Sequence, residues 1–356
     1  DSVDDVGRVC ELEGIDAHYA KGGELEIARA EWELPLLEKT YNEFRDVGLE
    51  DHYELLDAGQ TEERIRVAGA VGSFWNREGA AVQPARLARG LARAVERHGG
   101  TIYEQTAVLD FTPGPPAPVF HTARGDVTAK VIVLAGEAYL AEQPKLSRVI
   151  LPITSHIVIT EPLSDDIWAE IGWERREVVG GFGVEGGYLN HTADGRIAFG
   201  PYRSHYPFGS KITDAINLQE DIFEHGRKSA RSWFPMLEDV KFTHAWGGVL
   251  GMPRDHMPTM AYSPSTGVAF GFGYTGDGVA TTNLSGRTLT DLITETKSEL
   301  TELPMTTHKP RNWEREPLRW IGSQAVMWSR RRTERNVEKT GRYPEKPTLA
   351  ERLWRS

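Results

Sequence analysis

The chain has 356 residues, 39% of them apolar and 26% charged, with a formal net charge of −11 and one cysteine, Cys10. That length exceeds one ordinary core and predicts two domains, and no apolar run approaches the roughly 20 residues that span a bilayer, so a membrane segment is excluded. A lone cysteine forbids an internal disulfide, and the eleven histidines lack CxxC or HExxH spacing, so no metal site is expected and a reducing, cytoplasmic setting fits. The charge is uneven: residues 308–356 hold 13 Lys and Arg against 6 Asp and Glu, a net of +7, which leaves −18 on the residues before them. Such a body repels phosphate, so nucleic acid is not an expected partner, and the basic tail reads as a segment docked on acidic surface.

In chain order, "DSVDDVGRVCELEG" reads as a helix and "ELEIA", 24–28, as a short strand, followed by a helical run over 31–48 and a strand over 68–76. Pro84 opens a helix in which Leu87, Leu91 and Val95 share one face, and Gly99-Gly100 closes it. "TIYEQTAVL" follows as a strand, and "PVFHT", "ARGD" and "VTAKVIVLAG" as a hairpin. Its second arm ends in the apolar run Val131 to Leu134, the mark of a strand covered on both faces in a parallel sheet. In "ILPITSHIVITEPL" the pattern changes to period 2, with Thr154, His156 and Thr160 on the more polar face. The strands "EVVGGFGV" and "GRIAFGPYR" flank the turn at Asp194-Gly195, and a helix covers 213–233. After Val240 the α/β character returns, and the tail reads as extended segments around one helix near 321–334.

"GFGYTGDG", 271–278, spells G-x-G-x-x-G between the strand "TGVAF" and a helix. A dinucleotide fingerprint needs a second strand ending in an acidic residue about 20 residues on. Here the helix runs into "TKSELTELPMTTHKP", which argues against a nicotinamide-dependent dehydrogenase. Two readings stay open for the turn: a glycine-rich packing joint, or a helix N-terminus whose unpaired N–H groups face an electron-rich ligand.

"HAWGG" (244–248), "PRDHMP" (253–258) and "GYTGDGVATTNLSGRTLTDLI" from Gly273, in this order and spacing, resemble the C-terminal flavin-binding segment of the FAD-dependent amine and amino-acid oxidoreductases, the D-amino-acid-oxidase-like group that includes glycine and sarcosine oxidases. "REGAAVQPARLARGLARAVERHGGTIYEQTAV", "KVIVLAGEAY", "SHIVITEPL" and "HTADGRIAFG" extend the resemblance upstream, and "WEREPLRWIG" is similar to the C-terminal segment of one branch. The resemblance implies an α/β, overall α+β, fold in which an incomplete FAD-binding Rossmann-like domain (1–17, 77–145 and 243–300) interleaves with an antiparallel-sheet substrate domain (18–76 and 146–242), followed by a basic tail (301–356). It implies FAD as cofactor, a small amine or amino acid as substrate, and hydride transfer from the C–N carbon followed by imine hydrolysis; it assigns no oligomeric state. The family's opening G-x-G-x-x-G and acidic strand end have no counterpart before Asp1. The chain is accordingly expected to be an N-terminally truncated form holding FAD weakly or not at all, the alternative being a non-catalytic remnant or binding module.

The resemblance assigns Gly273, Tyr274, Thr275, Gly276, Asp277, Gly278 and Val279 to the wall around the flavin ring, with Gly248 beside it. It assigns Val108 to the adenine side through its backbone, and Ala135 and Gly136 to a close approach of the chain to the cofactor. An acid at a helix start is also an ordinary N-cap, and both roles stand for Asp277. His156, Arg203 and Tyr206 are the candidate catalytic or substrate-binding residues, Arg203 as a bidentate clamp for a carboxylate. Asn190 stands where relatives often carry Arg, and Cys10 lies far from any segment that would attach flavin covalently.

Overall fold

Residues 2–181 and 186–342, with 344, 346, 348, 349 and 352, are described by the structure, a computed structural model. The end of the strand expected over 177–184, from Phe182, and Pro347 of the tail lie outside the described residues. The first segment runs α1 (Ser2–Glu13), β1 (Glu24–Ala28), α2 (Leu34–Arg45), β2 (Tyr53–Asp57), α3 (Ala58–Glu62), β3 (Gly72–Asn76) and α4 (Pro84–Arg97). β4 (Val108–Thr112), β5 (Val119–Thr122), β6 (Gly125–Thr128), β7 (Ile132–Leu134), β8 (Ile150–Thr160), α5 (Asp165–Ile171), β9 (Val178–Gly181), β10 (Gly187–His191) and β11 (Ile197–Pro201) follow. The last part comprises α6 (Glu220–Trp233), β12 (Phe242–Pro253), β13 (Thr259–Ser263), β14 (Val268–Phe272), α7 (Gly278–Ile293), α8 (Pro304–Thr307) and α9 (Leu318–Thr340).

Eight strands form one large sheet in the order β12-β8-β11-β10-β9-β1-β3-β2. The sheet is mixed, where an antiparallel one was expected: β1 pairs parallel with β9, Glu24 opposite Val178, and antiparallel with β3. β12 belongs to this sheet through eleven registered positions against β8. Across the turn at Asp194-Gly195 the partner of β11 is β10, and not the strand over 177–184 expected to flank that turn. Two three-stranded sheets complete the fold, β13-β14-β7, with β7 parallel to β14, and β4-β5-β6.

Strand alternation decides which face of the large sheet is dry. Leu25, Ile27, Val158, Val179, Leu189, Ile197 and Phe199 point to one side and pack with Phe223, Trp233 and Phe234 in the main core. Each such side chain withdrawn from water contributes roughly 1.5–3 kcal/mol. α6 supplies Trp233, set edge to face on Phe199 at 6.2 Å. The opposite side is covered near β3 by Leu37 and Phe44 of α2 against Phe74, and elsewhere it is more open.

Three expectations fail for identifiable reasons. "TIYEQTAVL" is extended only from Val108, because Gln105 takes a positive φ of 52° that breaks any strand there. α4 buries Gly90 and Ala94 while Leu91 and Val95 stay exposed: Gly90 lies so close to Ile15 that a Cβ there would come within 2.2 Å of it, so the small-residue face makes the contact. The arm "VTAKVIVLAG" splits between two sheets, and Val133 is exposed, so β7 is not covered on both faces.

Candidate functional site

β7 and β14 run parallel, β7 ending at Leu134 opposite Phe270 and β14 two residues further on at Phe272, and the carboxyl ends of such strands are where open α/β sheets place ligands. From β14 the chain turns through Gly273 (φ 88°), Thr275 (φ 55°) and Gly276 (φ 115°) into α7. Gly276 needs its glycine for that dihedral, and nothing lies within 4 Å of where a Cβ would project. Asp277 occupies the N-cap position but its side chain caps nothing, so the first-turn N–H groups of α7 have no side-chain acceptor. The simple N-cap reading of Asp277 is thereby corrected.

Behind this turn lies a carboxylate that the sequence reading missed. Glu137 follows Ala135 and Gly136 at the end of β7, and its Oε1 accepts N–H bonds from Gly273 (3.0 Å) and Tyr274 (2.9 Å). Its Oε2 rests on Gly251 of β12, where a Cβ would come within 2.0 Å. Burial pushes the Glu137 carboxyl up, and the two amide donors oppose that. Tyr274 is itself buried.

The open face of the large sheet lies across from the start of α7. Gly200, Tyr188, Gly180, Glu26 and Phe74 form one registered row over β11, β10, β9, β1 and β3. Large and small residues alternate along it, so the Tyr188 ring lies on Gly200 and the Glu26 carboxylate on Gly180, with 2.0 and 2.1 Å left for a Cβ. The Tyr188 hydroxyl donates to the His156 carbonyl at 3.2 Å and shares a hydrogen with Ser155 Oγ at 2.5 Å. Glu24 occupies the adjacent row opposite Asn76, whose Nδ2 lies 3.4 Å from Glu24 Oε2. Gly248, opposite Ser155, also has open space where a side chain would stand, and Trp246 on the same side is 43% exposed.

This face is electrically unusual. Burial, then the neighbouring Glu24, pushes the Glu26 carboxyl up to about 8. Burial and the charge of Asp277 raise Glu24 as well, and burial raises Asp277. Tyr202, just past β11, is raised by burial and then by Glu26 and Glu24, with Asp277 adding to the effect. Asp277 thus acts electrostatically on both Glu24 and Tyr202, which sets the start of α7 against this part of the sheet. Glu24 and Glu26 are invisible as site residues in the sequence, because "ELEIA" alternates like any strand with a solvated face; Gly180 opposite Glu26 is the one signal that a side chain lies flat there.

The remaining sequence candidates divide. Ala135, Gly136, Gly248 and Gly273 to Val279 surround the turn and the open face. Val108 lies at the start of β4, its carbonyl accepting from Gln143 Nε2. His156 is on the core side of β8, contrary to expectation: it is fully buried, donates from Nε2 to the Ile216 carbonyl at 3.1 Å and meets Phe223 of α6 edge to face. Burial lowers its pKa, which keeps the ring neutral. Thr154 and Thr160 share that buried side. Tyr206 is also fully buried, donating to Glu316 Oε1 at 2.5 Å with Arg319 against its ring, so it anchors the tail and does not line the open face. Burial, followed by the hydrogen bond to Glu316, lifts its hydroxyl up to about 12. Arg203 is half-buried after β11, its guanidinium without a partner among the described residues.

The residues present fit the ring end of a flavin: an uncapped helix start, a glycine turn with free space before it, and a second glycine with space beside it. Among the described residues no three His, Cys, Asp or Glu are grouped to hold a metal ion, and no helix is long and apolar enough to cross a membrane.

Comparison with known proteins places the chain in a family. The model of the family described as FAD dependent oxidoreductase (DAO) matches residues 1–292. Gamma-glutamylputrescine oxidoreductase of Escherichia coli (strain K12) is 30% identical over 286 residues, covering 78% of this chain and 63% of that protein. The probable oxidoreductase OrdL of Haemophilus influenzae is 30% identical over 234 residues, 63% of this chain and 49% of that protein. The chain therefore spans less than two thirds of the length of these curated relatives. Among solved structures, glycine oxidase from Geobacillus kaustophilus superposes with a TM-score of 0.74 at 21% identity, covering 86% of this chain and 82% of that one.

Proposed function

Because the chain belongs to the FAD dependent oxidoreductase family, we propose that it contributes the ring-facing turn and the substrate sheet of an enzyme that oxidises a C–N bond, and that its substrate is an amine rather than an α-amino acid. The observation that carries the choice is the row of acidic side chains on the open face. Glu24 and Glu26 present carboxyl groups there and Asp277 adds a third at the helix start; burial raises all three, and a bound ammonium group favours their ionised forms. An ammonium group is attracted to such a wall; a substrate carboxylate is repelled, and Arg203 is the one sequence candidate named to hold it.

When bound, FAD supplies the acceptor for the hydride that leaves the substrate carbon, and the resulting imine is open to hydrolysis by water. Everything else falls to this chain. The N–H groups at the start of α7 would stabilise negative charge on a flavin held there. Glu137 fixes the turn that aims them, and Gly276 and Gly248 leave the room the ring requires. Before hydride can leave, the ammonium must lose a proton. A carboxyl held near 8, as at Glu26, is mostly protonated at neutral pH, and its ionised fraction, which grows as pH rises and as a cation docks beside it, accepts that proton; the Tyr188 and Tyr202 rings give the cation an aromatic side wall.

The test is turnover of the protein after incubation with FAD, comparing primary amines and diamines with neutral α-amino acids. At least tenfold higher kcat/KM for the amines is expected. A preference for α-amino acids refutes the substrate assignment; protein that takes up no flavin and oxidises neither class supports the alternative of a binding module that retains the sheet.

A further inference from the structure

Two surfaces outside the flavin-facing turn are complementary. The first is the outer side of α9. Leu318, Trp320, Ile321 and Trp328 are exposed on it, Trp328 at 61%. The helix carries six Arg and Lys against two Glu, a net of +4. Arg332 stacks over Trp328 at 5.4 Å, and a shallow cleft there is lined by Trp328, Arg332, Arg335, Asn336 and Lys339. Among the described residues Arg331, Arg332 and Arg335 have no carboxylate partner. Exposed tryptophans with unpaired arginines are the composition of a contact surface rather than of a solvated face.

The second surface is residues 31–63, which hold eleven Asp and Glu against two Lys and Arg, a net of −9. Its rim is also apolar: Val47, Leu49 and Leu55 are exposed among Glu43, Asp46, Glu50, Asp51 and Glu54. β2, the edge strand of the large sheet, runs through it.

We propose that the chain pairs with a second copy of itself, α9 of each copy docking on the 31–63 surface of the other. The occupant is argued from charge and from apolar content, since this chain carries both a basic, aromatic helix and an acidic patch with its own exposed aliphatic residues. Size agrees as well. A 23-residue helix is about 35 Å long, and a reciprocal pair of such contacts reaches the scale of stable interfaces, roughly 1,200–2,000 Å². A twofold arrangement uses each surface once and leaves no open end.

Sedimentation velocity of the full chain over a concentration series tests this at 0.05 M and 0.5 M NaCl. A dimer at low salt that dissociates at least tenfold more readily at high salt is expected. Arg331→Glu with Arg332→Glu should give monomer at both salts with an unchanged far-ultraviolet spectrum, and adding Glu50→Lys with Asp51→Lys should restore the dimer. Trp328→Ala should weaken association without altering its salt dependence. A chain that stays monomeric at every concentration in low salt overturns the proposal, as does a dimer indifferent to salt and to the arginine reversals.

Discussion

Replacing Glu26 by Gln probes the electrostatics of the open face. The residue lies over Gly180 in the interior of the large sheet, no hydrogen-bond partner for its carboxylate is found among the described residues, and its carboxyl is pushed from the usual 4.5 up to about 8 by burial and then by Glu24. A folded-state value above the unfolded one means that the native chain binds this proton more tightly. The ionisation cost is therefore absent below about pH 4.5, grows as pH rises toward 8, and is constant above. At about 1.36 kcal/mol per pH unit it reaches at most about 5 kcal/mol, and glutamine, with the same shape and no charge, removes it. With an unfolding entropy of about 2.1 cal/mol/K per residue over 356 residues, that corresponds to a Tm higher by roughly 7 °C at pH 9. At pH 5 variant and wild type should nearly coincide. Thermal unfolding followed by circular dichroism at the two pH values decides the matter; a Tm difference that is the same at pH 5 and pH 9, or a wild type more stable at pH 9, refutes the reasoning.

Glu137→Ala should release the Gly273 and Tyr274 amides, raising their hydrogen exchange by tenfold or more, as expected for losing a bond worth about 1.5–3 kcal/mol; unchanged protection would show that the turn holds itself. His156→Ala should destabilise the chain by about 1–3 kcal/mol in urea titration, through loss of the Ile216 bond and the Phe223 contact, while leaving KM for the amine unaltered; a folded variant with a raised KM would return His156 to the site. Tyr206→Phe should leave the Glu316 carboxylate short of a donor and speed proteolytic cleavage between 308 and 342, without affecting the open face; a cleavage rate equal to wild type would deny the tail its anchor.

Much of the fold is legible locally. Pro84 starts α4 where φ is already helical, "ELEIA" forms β1 residue for residue, and the period-2 pattern of 150–160 forms β8. What local pattern cannot carry is which side of a strand is covered. β8 is apolar on both faces, Ile153 and Ile157 on one and Val158 on the other, and the covering helix α6 begins 60 residues later, so the polar Thr154, His156 and Thr160 were assigned to the open side. The two threonines are tolerated in the core because partners satisfy them there, His205 N donating to Thr154 Oγ1 and Ile197 N to Thr160 Oγ1, while among the described residues His156 bonds through Nε2 alone. The ring-facing turn was legible because its constraint is local, a glycine dihedral and a helix start. Glu137 was not, because its function comes from two amides 136 and 137 positions away.

The position of β1 bears on how the chain is made. The strand can pair with β3 soon after synthesis, but Val178, the parallel neighbour of Glu24, lies 154 positions downstream. At about 5–20 residues per second the ribosome takes roughly 8 to 30 s to deliver it, and meanwhile β1 offers a bare edge with Leu25 and Ile27 on one side. Charged side chains on such an edge discourage a second nascent chain from adding its own strand. Glu24 and Glu26 thus guard the polypeptide before they meet any ligand, and the glutamine variant that is sturdier once folded is expected to reach that state with more loss to aggregation on the way.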